Sequence, residues 1–182
     1  LKLRVMRVLF NVIVTLKWLG KKPGGVATRD HRIAVGGGEI ALRSYVPHGP
    51  GPFPLMVFFH GGGWVGGNIG THDPLCRDLC VRSGHVIVSV DYRLAPEHPF
   101  PAAPNDCLAA LAWARDNAKA LAADAQRLVV CGDSAGGNLA AIVAQQARAR
   151  WPGLVKGQVL IYPVTEHCSV KFPSHTEFGG KE

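Results

Sequence analysis

At 182 residues, 47 % of them hydrophobic and 18 % charged, the chain is long enough for one domain with a real core and too apolar for a disordered segment. The net charge is +7, but the basic residues (Lys2, Arg4, Arg7, Lys17, Lys21, Lys22, Arg29 and Arg32 among them) are scattered and form no stripe interleaved with aromatics, which argues against a nucleic-acid partner. The five cysteines, Cys76, Cys80, Cys107, Cys131 and Cys168, fit neither a zinc site nor a Cys-x-x-Cys redox motif, and read as packing residues of a protein kept in a reducing, cytoplasmic setting.

Residues 3–19 are mostly apolar behind Lys2, Arg4 and Arg7, as in a signal peptide, but Asn11, Thr15 and Lys17 interrupt the run and no small-x-small cleavage site follows. Arg4, Arg7, Asn11 and Thr15 recur at helical spacing and give an otherwise apolar helix a narrow polar stripe. The segment is too short and too interrupted for a clear membrane span, so a helix packed on the rest of the molecule, a membrane-associated helix and a cleaved signal all remain open. Pro23-Gly24-Gly25 ends it.

Residues 31–35 and 40–46 read as two strands around the Gly36-Gly37-Gly38-Glu39 turn, a hairpin at a sheet edge. The run 55–59 is continuously apolar, as a strand covered on both faces requires, and 86–90, 128–131 and 158–162 read as further strands. Between them, 73–83, 105–117 and 139–147 carry helical patterns. Strands alternating with helices imply right-handed crossovers and a mostly parallel sheet with helices on both faces. No internal repeat or low-complexity tract is present.

Gly132-Asp133-Ser134-Ala135-Gly136 lies between an apolar strand and a helix-compatible run, the context in which Gly-x-Ser-x-Gly forms a nucleophile elbow. Side chains two positions either side of Ser134 would crowd the neighbouring strand or helix. His60-Gly61-Gly62-Gly63-Trp64 follows another buried-type strand, and its backbone N–H groups suit the oxyanion that serine acyl transfer creates. Each motif alone is weak; both together, in this order, point to a serine-hydrolase site. His60 reads as a side chain that fixes the loop, and Asp133 as an acid pointing away from the serine. Asp91, Arg93, Glu97 and Asp106 read as structural partners of the Pro-rich loop, and Trp64 as either a pocket residue or a packing residue. Gly36 to Gly38 resembles a phosphate loop only superficially, because no Lys-Ser/Thr follows.

The glycine loop, Asp91-Tyr92-Arg93-Leu94-Ala95-Pro96-Glu97-His98-Pro99-Phe100-Pro101-Ala102, Gly132-Asp133-Ser134-Ala135-Gly136-Gly137-Asn138 and Tyr162-Pro163-Val164 together resemble the hormone-sensitive-lipase-like (bacterial family IV) esterases of the α/β-hydrolase superfamily, over roughly residues 30 to 180. The resemblance implies carboxylester hydrolysis of short- to medium-chain acyl esters. It implies Ser134 as nucleophile and the N–H groups of Gly62, Gly63 and Ala135 as oxyanion donors, with His60, Gly61, Gly132, Asp133 and Gly136 as structural motif residues. It also implies an N-terminal cap helix, no metal and no organic cofactor. The expected partner is a small-molecule ester, with residues 3–19 a possible membrane contact. The resulting division is residues 1–25 as cap or membrane-associated helix and 26–182 as a partial catalytic domain.

A serine triad also needs an acid and then a histidine after the serine. After Ser134 no Asp occurs, and only Glu166, Glu177, Glu182, His167 and His175 could serve. The expectation is therefore a fragment lacking the last strands, weakly active or inactive by itself; the alternatives are a short hydrolase using Glu166 or Glu177 with His175, and a triad-deficient fold that binds a small molecule.

Overall fold

Three apolar runs form the centre of the molecule. In the computed structural model, which describes residues 2–17 and 24–166, they become β3 (Phe53–Phe59), β4 (Val86–Asp91) and β5 (Ala123–Asp133). With β1 (Val26–Val35), β2 (Gly38–Pro47) and β6 (Val155–Ile161) they make a six-stranded sheet ordered β1-β2-β4-β3-β5-β6. The pairs β4/β3, β3/β5 and β5/β6 are parallel, whereas β1/β2 and β2/β4 are antiparallel. The sheet is thus mixed, with its parallel half at the site, and the β1–β2 hairpin stands at one edge as its alternation predicts.

Side-chain alternation along the central strands sends two sets of apolar groups to opposite faces. Leu55, Val57, Phe59, Val88, Val90, Leu128 and Val130 pack against α3 (Ala102–Asp116) and α4 (Ala135–Arg150). Met56, Phe58, Ile87 and Cys131 pack with Tyr45 against Cys76 and Cys80 of α2 (Ile69–Ser83). Each buried Val, Leu or Phe contributes roughly 1.5–3 kcal/mol. Cys76, Cys80, Cys107 and Cys131 are all buried free thiols, as packing residues should be.

Several elements begin earlier than their sequence patterns suggest. Asn68 closes a capping box with Thr71 and starts α2 at Ile69, four residues before the apolar pattern emerges. Strand β5 begins at Ala123, because Asp124, Gln126 and Arg127 are polar yet continue the strand. The hairpin turn is shorter than expected: Val35 pairs with Gly38, leaving only Gly36 and Gly37 in the turn.

Register decides where the site forms. Phe59 of β3 lies beside Gly132 of β5, and Asp133 beside Ile161 of β6. The glycine loop that leaves β3 and the serine turn that leaves β5 therefore emerge side by side at the C-terminal ends of the parallel strands. The helix α1 (Lys2–Lys17) lies over that end. Among the described residues, no helix is long and apolar enough to cross a membrane.

Candidate active site

Ser134 sits between the last residue of β5 and the first of α4, at φ 52° and ψ −118°. That left-handed backbone is costly for a residue with a Cβ, and it holds the side chain at the helix N-terminus, where negative charge is favoured. The turn is tied down on both sides. Ser134 N–H donates to Ile161 O at 2.9 Å, and Ser134 O accepts from Asn138 N at 3.1 Å and Val164 N at 3.2 Å. Asn138 Nδ2 donates to Val164 O at 2.8 Å, which docks the segment after β6 on the same turn. Gly132 and Gly136 have no room for a side chain: a Cβ on the first would strike Gly136 O, and on the second Phe59 O.

The glycine loop closes on itself through Val65 N–H and Gly66 N–H, which both donate to Gly62 O. Gly62 needs its φ of +130°, and a Cβ there would collide with the Gly66 carbonyl. Among the described residues, the N–H groups of Gly62, Gly63 and Ala135 donate to no protein acceptor. Backbone donors left unpaired beside a serine at a helix N-terminus can receive a developing oxyanion.

Beneath the loop lies a buried polar layer. His60 is fully buried, stacked on Tyr92 with ring centroids 4.2 Å apart, and its Nδ1 meets Gly61 O at 2.8 Å. Tyr92 Oη donates to His60 O at 2.7 Å. Burial lowers the His60 pKa to about 4, so this imidazole is neutral at pH 7 and serves as scaffold. Asp133 Oδ1 accepts Gly61 N–H at 3.0 Å and faces His72 Nε2 at 3.4 Å. Burial pushes the Asp133 carboxyl up, but His72 and the Gly61 N–H outweigh it and leave it below the ordinary Asp value. The carboxylate is thus turned toward the glycine loop.

Ser134 and Asp133 line a cavity of about 530 Å³ with Gly61, Gly62, Gly63, His72, Tyr162 and, from α1, Met6, Arg7 and Val14. Trp64 is elsewhere. It lines an adjacent apolar cavity of about 380 Å³ with Phe100, Leu139 and Ile142, reached past Gly63, and also packs on the core. Arg93, Glu97 and Asp106 are used in pairing, whereas burial raises the pKa of Asp91, which meets the Ile69 backbone instead. Arg93 grips buried Asp106 through Nε at 2.9 Å and Nη2 at 2.7 Å, and Glu97 receives Arg7. His167, His175 and Glu177 lie outside the described residues, and so does the triad that would use them. Among the described residues, no group of three or more His, Cys, Asp or Glu is placed to hold a metal. Sequence reasoning missed His72, because a lone histidine inside Thr71-His72-Asp73 carries no spacing signal; only the fold brings it to Asp133.

A strained serine at the strand-to-helix turn of a parallel sheet, faced by a loop of unpaired backbone donors, defines an α/β hydrolase. A family model described as the alpha/beta hydrolase fold matches residues 56–181, and the chain belongs to that family. Within it, the chain groups with the hormone-sensitive-lipase-like esterases. It is 51 % identical over 134 residues to the carboxylic ester hydrolase LipN of Mycobacterium tuberculosis, an alignment covering 71 % of this chain and 36 % of that protein. The fold matches EstE1, a thermophilic carboxylesterase cloned from a metagenomic library, at TM-score 0.94 and 45 % identity, covering 99 % of this chain and 61 % of that one. It also matches the ester hydrolase EH1AB1 from the Lake Arreo metagenome, solved with a bipyridine phosphonate derivative, at TM-score 0.89 and 41 % identity, over 98 % of this chain and 56 % of that one. The chain spans about a third to a half of the length of the curated relatives it matches.

Proposed function

We propose that this chain carries the nucleophile and oxyanion hole of a serine carboxylesterase acting on small-molecule esters of short to medium acyl chains. The observation that supports it best is Ser134 itself, strained at φ 52° and opening into the same cavity as Gly62 and Gly63. Ser134 Oγ attacks the ester carbonyl and its proton passes to a base. The N–H groups of Gly62, Gly63 and Ala135 take the charge on the carbonyl oxygen, the alcohol leaves, and water releases the acid from the acyl-enzyme. Gly61, Gly132 and Gly136 allow the two turns to approach; His60 and Asp133 hold them there. Trp64 borders the neighbouring apolar cavity and would meet a substrate arm that passes Gly63.

In this reading residues 1–25 cap the site and 26–182 belong to the catalytic unit. Met6, Arg7 and Val14 on the cavity wall support the cap. The outward apolar face of α1 supports membrane association as the competing role for residues 3–19. A cytoplasmic location is the accompanying proposal, in line with four buried free thiols.

The test is covalent capture by a fluorophosphonate, with Ser134→Ala as control. Labelling at Ser134 that disappears in the variant supports the esterase reading. A folded protein, in the longest natural form that carries this sequence, that never labels would make it a small-molecule-binding member of the fold instead.

A further inference from the structure

We propose that His72 is a positioning residue that holds the oxyanion loop in register with the nucleophile turn, acting through Asp133. The proposal rests on the esterase reading only for its consequence in turnover; the geometry stands by itself. Gly61 and Asp133 are 72 residues apart in sequence, yet Gly61 N–H donates to Asp133 Oδ1 at 3.0 Å. Only glycine allows this approach, since a Cβ on Gly61 would run into the Asp133 carboxylate. Asp133 is the residue before Ser134, and Gly61 the residue before Gly62. On top of the strand register that brings the two loops side by side, this contact therefore fixes the glycine loop against the residue next to the nucleophile. Preorganisation of that kind is where oxyanion stabilisation comes from, and it is lost when donors can drift.

A short aspartate at a strand end can rotate away from one N–H partner. His72 prevents it. The imidazole is 8 % exposed, stands on α2 and faces the same carboxylate oxygen that accepts the Gly61 N–H. Its Nδ1 meets Thr71 Oγ1 at 2.8 Å, and its Nε2 faces Asp133 Oδ1 at 3.4 Å. A carboxylate only accepts, so the proton on that side belongs to Nε2. Thr71 is fixed in turn by the capping box: its hydroxyl oxygen accepts Asn68 N–H at 3.0 Å and lies 2.8 Å from both Asn68 O and His72 Nδ1, the two acceptors that share its single proton. The chain of contacts runs from the N-terminus of α2 through Thr71, His72 and Asp133 to Gly61. Of these groups, only Asp133 adjoins the nucleophile in sequence; His72 and Thr71 act through it. The other rings near His72, His60 at 5.5 Å and Phe58 at 6.0 Å between centroids, bound its position by packing.

The experiment compares His72→Phe with His72→Gln in the full chain. Phenylalanine keeps the ring's bulk and removes the donor; glutamine keeps a donor at the place of Nε2 and gives up the ring. The primary readout is amide exchange at Gly61, which needs no turnover. In His72→Phe the Gly61 amide is expected to exchange about tenfold faster, with the core amides of β3 and β5 unchanged, whereas His72→Gln stays near the parent. On an ester substrate, His72→Phe lowers kcat by a similar factor at unchanged KM, and glutamine restores it. The reverse order, with phenylalanine tolerated and glutamine not, shows a packing role and overturns the proposal, as does equal Gly61 protection in both variants. If His72→Phe does not fold, His72→Asn replaces it: the shorter amide reaches Thr71 but not Asp133, and the same loss at Gly61 is expected. A parent protein in which Ser134→Ala changes nothing sinks the esterase reading alone and leaves the Gly61 result to decide this one.

Discussion

Arg7 of α1 donates from Nε to the carbonyl oxygen of Val65 at 2.6 Å, in the turn that follows the glycine loop. The same guanidinium reaches Ala95 O at 2.9 Å and Glu97 Oε2 at 2.8 Å, and one turn further on Asn11 Oδ1 accepts Gly67 N–H at 3.3 Å. The helix is therefore docked by its polar residues. Val5, Val8, Leu9, Val12, Ile13 and Leu16 are 46–63 % exposed and face outward, the opposite of an ordinary surface helix.

If polar groups hold α1, a single substitution should release it. Arg7→Met removes several hydrogen bonds worth ~1 kcal/mol each at best, less where exposed. Amide exchange within α1 should then rise roughly tenfold while the sheet keeps its protection. Unchanged exchange in α1 would show that apolar contacts hold the helix.

Gly136 has no tolerance for a methyl group, because its would-be Cβ points at the carbonyls of Phe59 and His60. Gly136→Ala should cost about 3 kcal/mol or more, since backbone on both sides must move. Gly24→Ala, where the same methyl meets open space, should leave stability within about 0.5 kcal/mol. Urea unfolding of the pair checks the contrast.

His60 links stability to pH. Its folded pKa of about 4 lies below the ordinary value of 6.5. Between those values the unfolded chain binds the proton and the folded one does not. The stabilisation is therefore complete above pH 6.5 and is lost as pH falls toward 4. The full effect is on the order of 3 kcal/mol. Unfolding free energies at pH 7 and pH 5 should differ in that direction, and His60→Gln should remove most of the slope.

Arg93 and Asp106 form the pair that anchors the Pro-rich loop to α3. Asp106 is fully buried and accepts from Arg93 N at 3.0 Å as well as from the guanidinium. Arg93→Met leaves a buried carboxylate without its cation and should destabilise by about 3 kcal/mol. The double variant Arg93→Met with Asp106→Leu should recover part of that loss. A double variant worse than the sum of the singles would show that the pair does something other than neutralise charge.

Much of the site was legible because its chemistry is local. The Gly132–Gly136 turn and the Gly61–Gly63 loop announce themselves through glycines that the backbone requires, each behind an apolar run long enough to be a buried strand. The strand runs at 55–59, 86–90 and 128–131 were readable for the same reason. Helix starts were less so. The Asn68–Thr71 capping box precedes the apolar pattern of α2, and polar Asp124, Gln126 and Arg127 disguise the first half of β5.

What the amino-acid sequence determined by itself was the order of strands and helices, the serine at a strained turn, and a loop rich in unpaired donors. These follow from side-chain period and turn chemistry, which act over a few residues. Tertiary structure alone decided that β3 lies between β4 and β5, so that Phe59 stands beside Gly132 and the two loops share one cavity. It decided that His72 meets Asp133, that Trp64 faces the neighbouring cavity, and that α1 turns Arg7 inward. Such contacts join residues dozens of positions apart. They form because buried polar groups must find partners wherever packing brings them, and no local pattern encodes that choice.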